Sequence, residues 1–113
     1  MVTKFGDIAL ANSGLYSSKP RPVLVFQNDL ITTGTSLIVI PFTSEDNQVF
    51  DFRIAVMPST VNGLRKPCWL EVEKISAIRA DAIGQVIGVL EEDILATVIA
   101  TSRRIMSESP IGD

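Results

Sequence analysis

"RPVLVFQND" at residues 21–29 and "SLIVIPF" at 36–42 decide the fold. Each is apolar at consecutive positions, so neither has a side that can be left in water. A strand of this kind is buried on both faces. "DLITTGTS" (29–36) is the polar connection between them, with Gly34 inside it. Pro41, near the end of the second run, cannot donate to a ladder and marks an edge, a bulge or a strand end.

Working outward, "GDIALAN" (6–12) alternates, with Ile8 and Leu10 on one face. "VFDFRIAV" (49–56) puts Phe50, Phe52, Ile54 and Val56 on one face and Asp51 and Arg53 on the other. Pro58, Asn62-Gly63 and Pro67 make "MPSTVNGLRKP" (57–67) a long turn. "CWLEVEKISAI" (68–78) reads as one bent strand or two short ones, and "RADAIGQVIG" (79–88) as a short helix or a turn.

The clearest helix is "EEDILATVIATSRRIM" (91–106). Ile94, Leu95, Val98, Ile99 and Ile105 share a face. Acidic residues at its start and Arg103 and Arg104 at its end suit the helix dipole. The pattern predicts a single domain over residues 1–106, mostly β with a C-terminal helix, and a frayed tail at 107–113.

Composition excludes some functions. With 113 residues the chain can bury a core without a metal or a disulfide. One cysteine and no histidine give no metal cluster. Ten Lys and Arg against thirteen Asp and Glu, a net charge of −3, argue against gripping duplex DNA by bulk positive charge. A local basic groove from Lys19, Arg21 and the "RKP" at 65–67 remains open. "MVTKFGDIAL" has no signal-peptide pattern, and runs such as "LIVIPF" are too short to cross a bilayer, so the expected location is cytoplasmic.

Arg21 stands between Pro20 and Pro22. Pro20 holds its own φ, and Pro22 pushes Arg21 towards an extended backbone. A stiff guanidinium at a strand mouth can clamp an anion, since its planar fork fits phosphate oxygens. Alternatively it caps the strand or pairs with Asp7 or Asp29. Thr43 and Ser44, in "PFTSEDN", either point hydroxyls at a ligand or close an ordinary hydroxyl turn.

Taken in order, "FGDIAL", "RPVLVFQND", "LIVIPFTS", "GLRKP", "VEKISAI" and "IGVLEEDIL" resemble the MazF/PemK/Kid toxins from about residue 5 to the C-terminal helix. The resemblance implies a small SH3-like barrel of the CcdB/PemK type, forming a homodimer. It implies the toxin half of a toxin–antitoxin pair, cleaving single-stranded RNA with no metal or other cofactor and held off by a cognate antitoxin. Arg21 then takes the place of the family's catalytic arginine and Thr43 that of its catalytic threonine.

The implied chemistry is attack of a ribose 2′-hydroxyl on the adjacent phosphate. Arg21 stabilises charge that develops in the transition state. Arginine stays protonated, so the proton acceptor is sought in "LEVEKI", where Glu71 and Glu73 lie two apart on an expected strand. Glu73 is the closer match to the family's acidic residue. Lys19, Ser44, Arg65, Lys66 and Glu71 complete the expected RNA-contacting set. Phe52 and Trp69 align with groove-lining segments of the family and are stacking candidates, although such residues more often belong to the core. The first loop, "ANSGLYSSKPRP" (11–22), departs from the family by lacking its Gly-x-Glu-Gln stretch. The alternative is therefore a non-catalytic barrel that acts by binding, as a gyrase poison like CcdB or a degenerate toxin that only engages its antitoxin.

Overall fold

The computed structural model describes residues 2–12, 19–45 and 50–107. The two runs that are apolar on both sides form adjacent antiparallel strands, β2 (Arg21–Val25) and β3 (Ser36–Thr43). Around them stand β1 (Asp7–Ala11), β4 (Arg53–Val56), β5 (Cys68–Glu71), β6 (Ser76–Arg79) and β7 (Ile83–Val89), followed by α1 (Glu92–Met106). Strand order is β4-β5-β3-β2-β1-β7, with β6 pairing the first half of β3. The fold is mostly antiparallel β with one C-terminal helix. Its sheet is open, because β4 and β7 end the order without pairing to each other.

β3 holds the two halves of the sheet together. Ser36 to Val39 pair with β6, and Phe42 and Thr43 pair with β5. Pro41 falls between these two ladders, where no N–H is needed. It therefore sits inside a central strand, at the point where that strand changes partner.

Alternation sorts the side chains into two cores. Ile8, Leu24, Ile40, Phe42, Val56, Leu70 and Val98 belong to the larger one, which α1 covers. Ala11, Val23 and Val39 form a smaller cluster on the other face, packed by Leu37, Ile78 and Ile83. β1 is thus buried on both faces as well, with Ala9 and Ala11 opposing Ile8.

Several expectations are refined. "CWLEVEKISAI" is two strands separated by a 3₁₀ turn at Val72–Lys74. "RADAIGQVIG", read as a helix or a turn, is a 3₁₀ turn at Ala80–Ala82 followed by β7, a seven-residue strand on β1. Phe50 and Phe52 precede β4 in a turn closed by Arg53 N–H to Phe50 O (3.2 Å). On α1, Ile94, Leu95 and Val98 pack inward with Thr101 and Ser102, whereas Ile105 is exposed. Ser107 N–H still bonds to Arg103 O, and the rest of the expected tail, 108–113, lies outside the described residues.

The 57–67 turn is pinned at Asn62, which is wholly buried. Its Oδ1 accepts from the N–H groups of Ser59 and Leu64 (both 3.0 Å), and its Nδ2 donates to Met57 O (2.9 Å). The same amide meets the Glu91 carboxylate at the start of α1, which also accepts from the Ser59 hydroxyl (2.7 Å). Burial pushes the Glu91 carboxyl up, but the bonds from Ser59, its own backbone N–H and Asn62 outweigh this and hold it below the usual value. Gly63 has φ +72°, and a Cβ there would lie 2.1 Å from Ile87 O. Only glycine fits so close to β7.

Candidate active site

Strand pairing brings Arg21 and Thr43 together. Phe26 N–H donates to Ile38 O (3.0 Å), so alternate residues back along β2, Leu24 and then Pro22, turn their nitrogens towards β3. Pro22 has nothing to donate, and the β2–β3 ladder stops at Val23↔Pro41. Continuing the register by two residues sets Arg21 opposite Thr43. Arg21 also pairs with Ala11, and Thr43 with Trp69, which in turn faces Ala55. One transverse row of the sheet therefore carries both residues.

Where the ladder stops, a cleft of about 640 Å³ opens. Among the described residues, the cations Lys19, Arg21 and Lys74 line it, together with the carboxylates Glu45 and Glu71 and the hydroxyls of Thr43 and Ser76. Val23, Val39, Pro41 and Ile78 supply apolar wall. A second cleft, of about 430 Å³, lies between Val2-Thr3 and the 27–36 segment. Among the described residues it holds Asp29 and Asp81 and no cation, which makes it a poor place for a phosphate.

Arg21 is exposed, and its guanidinium has no hydrogen-bond or ion-pair partner among the described residues. Neither aspartate considered as its partner meets it. Asp7 accepts from Lys4 N–H (2.9 Å) and Asp29 from Phe5 N–H (2.7 Å). Thr43 is half-buried, and its Oγ1 accepts from Glu45 N–H (3.2 Å), closing the hydroxyl turn. That bond uses a lone pair and leaves the O–H to donate.

Glu71 and Glu73 do not share a strand, because β5 ends at Glu71 and the 3₁₀ turn carries Glu73. They converge instead on Arg53, which sits opposite Glu71 on β4. Glu73 accepts from Arg53 Nε (2.8 Å) and also from Nη2. Glu71 Oε2 lies 3.4 Å from Arg53 Nη1 and 3.0 Å from Lys74 Nζ. The Arg53 guanidinium also lies over the Phe50 ring, 5.2 Å from its centroid. Burial raises the Glu73 carboxyl, but the Arg53 hydrogen bond, its own backbone N–H and the charges of Arg53 and Lys74 together bring it below the usual value. Donating to the Glu73 carboxylate raises Arg53 in turn.

Of the expected site residues, the structure gathers Lys19, Arg21, Thr43 and Glu71 in the cleft. Glu73 does not line it. Ser44 is exposed beside Thr43, and Arg65 and Lys66 are exposed on the 57–67 turn, all outside the cleft lining. Phe52 is half-buried and stacked on Phe50 (centroids 5.0 Å apart), and Trp69 is half-buried in β5 between Thr43 and Ala55. Sequence reasoning missed Arg53 and Lys74. Alternation had put Arg53 on the polar side of its strand, and only the β4–β5 register shows what it faces. Most of the departing first loop, residues 13–18, lies outside the described residues.

Comparison with known proteins identifies the family and the fold. Residues 4–106 match the family model of the PemK-like, MazF-like toxin of type II toxin-antitoxin system. A probable endoribonuclease MazF from Mycolicibacterium smegmatis is 31% identical over 102 residues, covering 89% of this chain and 91% of that protein. In fold, the chain is similar to the MazE-MazF structure from Deinococcus radiodurans (TM-score 0.77, 18% identity, 96% and 99% of the two chains covered). It is also similar to an endoribonuclease solved in complex with its cognate antitoxin from a mycobacterial species (TM-score 0.74, 14% identity, 95% of each chain covered). The chain belongs to the PemK-like, MazF-like toxins of type II toxin–antitoxin systems.

Proposed function

We propose that this toxin is an endoribonuclease that cuts single-stranded RNA without a metal, as a homodimer restrained by a cognate antitoxin protein. The unpartnered Arg21 guanidinium, opposite Thr43 in a cleft with two further cations, carries the reading. A guanidinium without an internal partner in a groove is free to take a phosphate bidentately. The family membership and the mycobacterial endoribonuclease relative support the same activity.

In the reaction, a ribose 2′-oxygen attacks the neighbouring phosphorus. The new 2′-O–P bond forms as the P–O5′ bond breaks, leaving a 2′,3′-cyclic phosphate and a 5′-hydroxyl. The 2′-proton passes to a base, and the leaving 5′-oxygen takes a proton from solvent water. Arg21, with its backbone set by two prolines, binds the charge that grows on the non-bridging oxygens. Thr43 donates its hydroxyl proton to the same phosphate. Glu73 is the proposed proton acceptor. It is ionised at neutral pH, as an acceptor must be, and reaches the cleft only by parting from Arg53.

The test is cleavage of a long unstructured RNA in EDTA, with Arg21→Ala and Thr43→Ala in parallel. Discrete fragments that both folded variants fail to produce are expected. Intact RNA with the folded, antitoxin-free wild type refutes the enzyme and turns attention to gyrase inhibition and antitoxin binding.

A further inference from the structure

A carboxylate on the floor of a cleft meant for a polyanion is electrostatically out of place. Glu71 is such a group, with its side chain 11% exposed and lining the same cleft as Arg21 and Thr43. Lys74 and Arg53 offset its charge, so the group repels a phosphate less than a bare carboxylate does. Both ion pairs fall on Oε2, and neither uses Oε1. The carboxylate thus keeps acceptor capacity after its charge is balanced.

Its place in the sheet fits a contact to a base. Continuing the β3–β5 register by one residue sets Glu71 opposite Pro41. That row lies two residues, about 7 Å, along the sheet from the row of Arg21 and Thr43. Pro41, Val23, Val39 and Ile78 in the same cleft give a base an apolar surface for its face. Resting on the ribonuclease reading, we propose that Glu71 selects the base beside the cut phosphate. It accepts from an exocyclic amino group, so cytosine, adenine or guanine is taken there in preference to uracil. Uracil has no amino group, and it flanks its single N–H with carbonyl oxygens that a carboxylate repels.

The experiment maps the cuts made in a long RNA. It then places uridine at each position around one cut in a short oligonucleotide and measures single-turnover rates. At one position next to the cut, uridine should slow the wild type by roughly ten- to a hundredfold. In Glu71→Gln, whose amide both donates and accepts, that ratio should fall below about threefold. Equal tolerance of uridine at every position overturns the inference using the wild type alone, whether or not the variant folds. So does an unchanged ratio in folded Glu71→Gln, or a folded variant that binds RNA and cuts nothing, which places Glu71 in proton transfer. A wild type that cuts no RNA at all is a separate result, because it removes the ribonuclease reading and this inference with it.

Discussion

Replacing Arg53 with alanine tests the ion cluster behind the cleft. The side chains of Arg53, Glu71 and Glu73 are 11%, 11% and 25% exposed, so all three charges are largely withdrawn from water. Removing one partner of a buried pair costs about 3–5 kcal/mol, because the remaining charge is left unpaired. Here Lys74 still serves Glu71 and Glu73 keeps partial access to solvent, which lowers the expected loss to about 2–3 kcal/mol. For a domain of this size that corresponds to a fall in Tm of roughly 8–15 °C. The sign with pH follows from Glu73, whose folded-state carboxyl lies below its ordinary 4.5. The pair's contribution is fully present above about pH 4.5 and is lost as pH falls through the folded value. Thermal melts of wild type and Arg53→Ala from pH 7 to pH 3 should therefore show a wide gap that narrows in acid. A gap below about 0.5 kcal/mol at pH 7, or one that stays constant into acid, refutes the reasoning.

Arg21→Ala should slow RNA cleavage by on the order of 10²–10³ while moving stability by less than about 0.5 kcal/mol, since the side chain is exposed and bonds to nothing described. Single-turnover assays and denaturant melts check both halves. Glu73→Gln should lower the single-turnover rate by roughly 10²–10⁴ with RNA binding retained; an unchanged rate leaves Glu73 as the anchor of Arg53 and nothing more. Gly63→Ala should cost at least about 2 kcal/mol, because its methyl meets the Ile87 carbonyl and the positive φ disfavours a side chain. Urea unfolding measures that loss, and a difference under about 0.5 kcal/mol would falsify the close approach.

Elements whose identity is local could be read from sequence. β2 and β3 are betrayed by apolar runs with no polar side, and α1 by its period and its charged ends. β7 was hidden for a physical reason. Its glycines resemble turn residues, yet a Cβ on Gly88 would lie 2.3 Å from the backbone of Asn62, so glycine there reflects two backbones in close contact. Ile105 continues the apolar stripe of α1 yet is exposed, and periodicity cannot report which positions of a stripe find a partner. At the site, the two prolines made Arg21 legible. Thr43 as its neighbour depends on β2–β3 register. The convergence of Glu71 and Glu73 on Arg53 depends on β4 pairing with β5, which no local pattern carries.

The pairing of β1 with β7 also bears on when the molecule comes into being during translation. Asp7 pairs with Val89 and Ile8 with Gly88, so the first strand acquires its outer neighbour only after about eighty further residues have been made. Closing so long a loop is slow compared with forming the β2–β3 hairpin. The larger core also waits for Leu90 and Val98. A nascent chain on the ribosome therefore already holds the strands of the cleft while it lacks the edge strand and the helix that stabilise them. Closure of the fold therefore waits for β7 and α1, long after the β2–β3 hairpin has been made.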